Sequence, residues 1–203
     1  MPLTREMRIE YETNYASCTT RPEFIERTNK AVARMTAARP RYEAVATATS
    51  VPWPVIAAIH TMECGGDFDC HLHNGDSLSR RTINVPAGRP MKGKPPFTWE
   101  ESAVDALTLD GFTNWTDWSV AGTLYKLEGY NGMGYRKRAV PSPYLWSGSQ
   151  HYTRGKYVAD GRYDANAKSS QVGAAVLLKN LGAFPRPLSA AVRPGDRDCV
   201  GVR

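Results

Sequence analysis

Apolar residues recur at helical spacing through most of the first fifty positions. Phe24, Thr28, Val32 and Met35 mark one stripe, and Tyr42, Val45 and Ala46 continue it. A period near 3.6 residues is the signature of helices that bury one face. The spacing predicts helices over Arg5–Tyr15, Pro22–Ala38 and Arg41–Thr49. Pro22 suits a first helical turn, and Pro40 divides the second helix from the third. A fourth helix, Val51–Glu63, carries Val55, Ile59 and Met62 on one face. Gly65-Gly66 ends it, because glycine takes positive φ without steric cost.

From Asp67 to Pro96 the helical period disappears. Asn74-Gly75 is a tight-turn signal, Arg81–Val85 (RTINV) reads as a short strand, and Pro86–Pro96 is a Pro/Gly loop. This stretch is the expected small β-region. Helices return at Trp99–Leu109, where Thr98 and Glu101 have capping-box spacing. Two more are expected over about Trp118–Gly129 and Ser169–Leu181, the last closed by Gly182. Between them Tyr130–Tyr163 reads as a long loop, rich in tyrosine and therefore ordered. The fold class expected is α+β, mainly α. One domain spans 1–183, with the helices of 1–50 packed on it, and 184–203 forms a Pro/Arg-rich tail.

Composition narrows the picture. At 203 residues and 41% hydrophobic content the chain suits one core. No apolar run approaches the roughly 20 residues of a membrane span. The start, MPLTREMRIEYETNY, lacks the apolar segment of a signal peptide, so a soluble chain made in the cytoplasm is expected. A net charge of +6 points to a polyanionic partner. Scattered basic residues and the absence of a recognition motif argue against nucleic acid. Cys18, Cys64, Cys70 and Cys199 do not form a zinc-ribbon pattern. Cys64 and Cys70 are spaced for a disulfide after export, whereas free thiols are expected in the newly made chain.

Glu63 carries the chemistry. A carboxylate at a helix C-terminus opposes the macrodipole, so its presence there asks for a reason. Burial would raise its pKa and leave it protonated, as a general acid requires. His60 lies three residues earlier on a neighbouring face. With His71 and His73, His60 and Glu63 could ligate a transition metal, but the order is not H-E-x-x-H and fits no fixed ligand spacing. No metal and no cofactor are expected. Trp99, Trp115 and Trp118 lie at helix boundaries and read as packing residues.

The segment Ile59–Phe68, IHTMECGGDF, resembles the catalytic-helix terminus of the lysozyme-like superfamily. Tyr130–Gly132 (YNG, within EGYNGMGY) resembles the Tyr-Asn-Gly segment of goose-type lysozymes and soluble lytic transglycosylases. The fuller pattern over about 40–181 is similar to phage and prophage endolysin-type proteins. The resemblance implies a lysozyme-like fold, a helical lobe and a small β-hairpin region flanking a substrate groove. It implies cleavage of the β-1,4 bond between N-acetylmuramic acid and N-acetylglucosamine, with Glu63 as acid. Asp76 and Thr82 have the mutual spacing of the Asp and Thr of phage-type lysozymes, although Asp76 lies further from Glu63 than is usual there. Asp67 and Asp69 compete for the second-carboxylate role, and Cys64 stands where Ser is common. The glycan is expected to contact His60, His73, Tyr130, Asn131, Tyr135, Tyr144 and Trp146. The partner implied is bacterial peptidoglycan, with electrostatic contact to anionic envelope polymers. A monomer made in the host cytoplasm and acting at the cell wall is expected. Three alternatives stay open: a lytic transglycosylase using Glu63 alone and giving 1,6-anhydro products, a metal-dependent peptidase of the peptide stems, and a non-catalytic wall-binding protein.

Overall fold

A computed structural model describes residues 2–159 and 161–184. Among them are eight α-helices: α1 (Arg5–Ser17), α2 (Ile25–Ala37), α3 (Arg39–Thr49), α4 (Trp53–Cys64), α5 (Trp99–Leu109), α6 (Val120–Asn131), α7 (Pro143–Trp146) and α8 (Ala174–Leu181). Strands β1 (Lys156–Ala159) and β2 (Arg162–Asp164) pair antiparallel, with Tyr157 opposite Tyr163. The chain is thus mainly helical with one small sheet.

Helix α4 is the centre of the core because it is apolar nearly all round. Val55 through His60 are buried in succession, and α2, α3 and α8 pack against the helix. Helix α8 buries Ala174–Leu178 and packs on α2, α4 and α7. Helix α1 lies on α6, and α5 lies on α3. The helices before Ser50 therefore share one core with those that follow. None of the described helices is long and apolar enough to cross a membrane.

Local chemistry sets the helix ends. The Thr98–Glu101 capping box forms as the spacing predicts. Pro40 sits inside the first turn of α3 instead of before it, and Pro54 does the same in α4, which starts at Trp53. A first-turn residue needs no N–H donor, so proline is tolerated there. At the other end of α4, Gly65 takes φ +62°. The N–H groups of Gly65 and Gly66 then close on the carbonyls of Thr61 and His60.

The β-region is displaced from its predicted place. Arg81–Val85 is not a strand, because its three central backbone donors are spent locally. Asp76 Oδ2 accepts from the N–H groups of Ile83 and Asn84 at 2.8 and 3.0 Å. Thr82 N–H bonds Arg89 O at 2.8 Å. The sheet falls instead on β1 and β2, at the end of the expected Tyr130–Tyr163 loop and one residue past it, where Tyr157 and Tyr163 meet edge to face at 5.4 Å. That loop also holds a 3-10 turn at Arg136–Arg138 and helix α7. Of the expected 184–203 tail, Phe184 packs edge-on against Tyr15; residues 185–203, including Cys199, lie outside the described residues.

Candidate active site

Glu63 occupies the last turn of α4, one residue before the helix closes on Gly65. Water reaches the side chain, yet enough protein surrounds the carboxyl that burial raises its pKa above the usual carboxylate range. The negative charge of Asp110 pushes in the same direction. A hydrogen bond donated by the Tyr144 hydroxyl, at 3.0 Å, opposes both. The result is an accessible carboxyl biased toward its protonated form.

Tyr144 is held there by close backbone packing. It belongs to α7, whose Leu145 carbonyl lies against Gly173 at the start of α8. A Cβ at Gly173 would come within 2.3 Å of that carbonyl oxygen, so only glycine lets the two helices meet. Tyr130 completes the wall. Its ring lies 6.2 Å from that of Tyr144 and 5.5 Å from Phe112, and the Glu63 charge helps raise its pKa. Both tyrosines therefore remain neutral donors. Asn131 is exposed at the C-terminal end of α6 beside Tyr130.

Next to Tyr130 opens a recess of about 480 Å³, lined by Asp110, Trp115, Tyr125, Lys126, Gly129, Tyr130 and Met133. The Trp115 and Tyr125 rings lie 5.7 Å apart, tilted by 32° to one another, and both line the recess. Lys126 Nζ donates to the Asp110 carbonyl at 2.9 Å and lies 4.6 Å above the Phe112 ring. Burial raises the Asp110 pKa, while Lys126 and Arg89 hold it down. Aromatic faces beside carboxylate, ammonium and hydroxyl groups suit a ligand with apolar faces and polar edges.

Asp110, Tyr125 and Lys126 are not singled out from the sequence alone, and Trp115, which reads there as a packing residue, lines the recess. A signal for Asp110 is nevertheless present. It caps the C-terminus of α5, where a negative charge is as disfavoured as Glu63 is at the end of α4.

The other residues singled out do not join this group. Asp76 is the hub of the 74–84 loop. Besides Ile83 N–H and Asn84 N–H, its carboxylate accepts from the side-chain amides of Asn74 and Asn84 at 3.1 and 2.6 Å. These bonds hold its pKa below the usual value. Thr82 is buried, donates to Pro86 O and accepts from Arg89 N–H at 2.9 Å. Both side chains build the loop. His60 is fully buried, so the expected glycan contact is corrected. Its Nε2 lies 2.8 Å from Asp67 O and its Nδ1 2.9 Å from the Tyr42 hydroxyl. A carbonyl only accepts, so Nε2 carries the proton and Nδ1 accepts from Tyr42. Burial lowers the pKa to about 4.

His73 is corrected likewise. Its side chain is 1% exposed and bonded to Asp105 at 2.8 Å, which also takes Arg89 at 2.7 Å. Ser102 Oγ bridges His71 Nδ1 at 2.8 Å and approaches His73 Nδ1 at 3.4 Å. Ser102, His73 and Asp105 have the composition of a nucleophilic triad. Ser102 is fully buried, however, and leaves no room for an attacked carbonyl. Tyr135 is buried against Tyr157 and Tyr163, and Trp146 against His151; neither contacts the recess. Among the described residues no three His, Cys, Asp or Glu side chains gather as a metal site. Cys18, Cys64 and Cys70 are free thiols, and burial pushes Cys64 up to about 12. Asp67 and Asp69 remain on the loop after α4, where the Asp67 carboxylate accepts Asp69 N–H at 2.9 Å.

Comparison of the chain with protein-family models, with curated proteins and with solved structures finds no match.

Proposed function

We propose that this chain is a glycosidase of lysozyme-like architecture that cleaves peptidoglycan between N-acetylmuramic acid and N-acetylglucosamine. One observation carries the reading: Glu63 is an accessible carboxyl with a raised pKa, bonded to Tyr144, whose ring lies 6.2 Å from that of Tyr130 on the wall of an aromatic recess. Glu63 gives its proton to the glycosidic oxygen as the sugar develops oxocarbenium character. Tyr130 and the Trp115–Tyr125 surface take the apolar sugar faces. Asp110, which shares the electrostatic field of Glu63, is the acid available to the developing cation or to an attacking water.

A second reading is favoured by Asp76, whose two oxygens are already taken by loop N–H groups. A lytic transglycosylase needs no second carboxylate, since Glu63 serves as acid and then as base. Release of soluble fragments from purified peptidoglycan, followed by mass spectrometry, tests both. The wild-type chain releases hydrated muropeptides in the first reading and 1,6-anhydro muropeptides in the second. Glu63→Gln loses roughly 10²–10⁴-fold in rate in either case. Equal release by Glu63→Gln sinks both.

A further inference from the structure

One stretch of the chain carries charge of a single sign. Between Ser77 and Trp99 stand Arg80, Arg81, Arg89, Lys92 and Lys94 and no Asp or Glu, in a protein whose net charge is +6. Arg89 is paired with Asp105, and Arg81 lies 5.4 Å from the Phe97 ring and donates to Gly93 O at 2.9 Å. Arg80, Lys92 and Lys94 are exposed and form no ion pair among the described residues. The same stretch displays large aliphatic side chains to water: Ile83 is 61%, Val85 90% and Met91 72% exposed.

These side chains stand on fixed backbone. Thr82 N–H bonds Arg89 O and Gly88 N–H bonds Thr82 O, each at 2.8 Å, which closes the tip that bears Ile83 and Val85. Asp76 clamps that tip from below through Ile83 and Asn84 N–H. The Arg81–Gly93 bond ties on the following turn, which bears Met91, Lys92 and Lys94. Exposed aliphatic groups on a braced loop lose little entropy on docking. Exposed aliphatic side chains on the same loop as exposed cations without ion pairs match the acyl boundary and headgroups of an anionic bilayer. A polyanionic glycan would use the cations and leave Val85 and Met91 idle, so the aliphatic groups decide between the two.

We propose that the 80–94 loop is a docking surface for anionic phospholipid bilayers, with Ile83, Val85 and Met91 entering the interface and Arg80, Lys92 and Lys94 meeting the headgroups. The proposal does not depend on the glycosidase reading, and its failure leaves that reading untouched.

The test is co-sedimentation of the full chain with vesicles of phosphatidylethanolamine and phosphatidylglycerol, with phosphatidylcholine vesicles and purified sacculi in parallel. Wild type should sediment with the anionic vesicles, weakly with phosphatidylcholine, and less as salt rises. The double variant Val85→Asp/Met91→Asp should lose about tenfold or more in vesicle affinity. Lys92→Gln/Lys94→Gln should lose a similar factor and flatten the salt dependence. All four positions are exposed, so the circular dichroism and thermal midpoint of both variants should match wild type. Equal binding to phosphatidylcholine, no vesicle binding by wild type, undiminished binding by Val85→Asp/Met91→Asp, or sedimentation with sacculi alone would each overturn the proposal.

Discussion

The Tyr144 hydroxyl donates to the Glu63 carboxyl at 3.0 Å and pulls its pKa down, against the burial that pushes it up. Asp110 acts with the burial. The two neighbours of the candidate acid thus act with opposite sign, and two variants read them out. If Glu63 must be protonated to act, activity falls as pH rises through its folded pKa. Tyr144→Phe removes the bond to the carboxylate form, so the alkaline limb of the pH–rate profile moves to higher pH. Asp110→Asn removes a like charge, so the limb moves to lower pH. Fragment release measured across pH for the three proteins decides it; a shift of both variants in the same direction excludes Glu63 as the titrating acid.

Asp76 separates a loop-building carboxylate from a catalytic one. Its oxygens accept from Ile83 N–H, Asn84 N–H and two side-chain amides. These bonds favour the ionised form and depress the folded pKa, so their stabilisation is present above the ordinary carboxylate value of 3.8 and is lost as pH falls below it. Asp76→Asn cannot reproduce the acceptor set. It should lower the thermal midpoint at neutral pH and make residues 77–97 protease-sensitive, with the midpoint difference shrinking in acid. Fragment release should continue at a reduced rate. Complete loss of turnover with an unchanged midpoint and an intact loop would return Asp76 to the chemistry.

Much of this arrangement is legible in the chain. Seven of the eight described helices follow from apolar period and capping residues, while α7 lies in a stretch that reads as loop. Glu63 stands out because a carboxylate opposes the dipole of the helix it ends. Asp110 carries the same anomaly at the end of α5, but a single acid beside Gly111 reads as a turn residue until the fold brings it near Glu63. The pairing of Asp76 with Thr82 was a true spacing with a different cause. Their side chains take backbone partners in their own loop, and sequence spacing alone does not tell a bonded carboxylate from a free one. The sheet was misplaced for the same reason, since RTINV has strand composition but its N–H groups are claimed by Asp76 and Arg89 O. Val85 was invisible as a feature, because exposure is a property of the folded loop.

His60 makes the core sensitive to acid. It is fully buried and neutral, with a folded pKa of about 4 against an ordinary 6.5. Between those values the unfolded chain binds a proton that the folded chain refuses. Stability therefore falls as pH drops through this window, by about 1.4 kcal/mol per unit and on the order of 3 kcal/mol in all. His60→Gln offers one donor and one acceptor, but not at the fixed positions of the ring nitrogens, so the bonds to Asp67 O and to the buried Tyr42 hydroxyl are both weakened. It should cost about 1–3 kcal/mol at pH 7 and flatten the acid-side decline. Urea unfolding at several pH values measures both. An undiminished slope in the variant would place the titrating group elsewhere, with His73 next in line because burial lowers its pKa too.

The far side of α6 holds the recess in position. Glu128 and Tyr130 are two residues apart, about 200° around the helix, so one faces α1 while the other faces the site. Glu128 is 2% exposed and accepts from the Tyr11 hydroxyl of α1 and from Arg136 at 2.9 Å. Arg136 also bonds Glu10 at 3.0 Å and stacks 4.6 Å from the Tyr11 ring. Removing one member strands the others: Glu128→Ala leaves a phenol without its acceptor and a part-buried guanidinium with half its partners. The expected cost is about 3–5 kcal/mol by chemical denaturation. Removing both charges is a different perturbation. Glu128→Gln/Arg136→Met keeps the volume, lets the amide accept from Tyr11, and leaves no buried charge unpaired, so it should be more stable than Glu128→Ala. It should also retain fragment release, since Tyr130 keeps its place on α6. A Glu128→Gln/Arg136→Met variant as unstable as the sum of Glu128→Gln and Arg136→Met would show that the two side chains act independently.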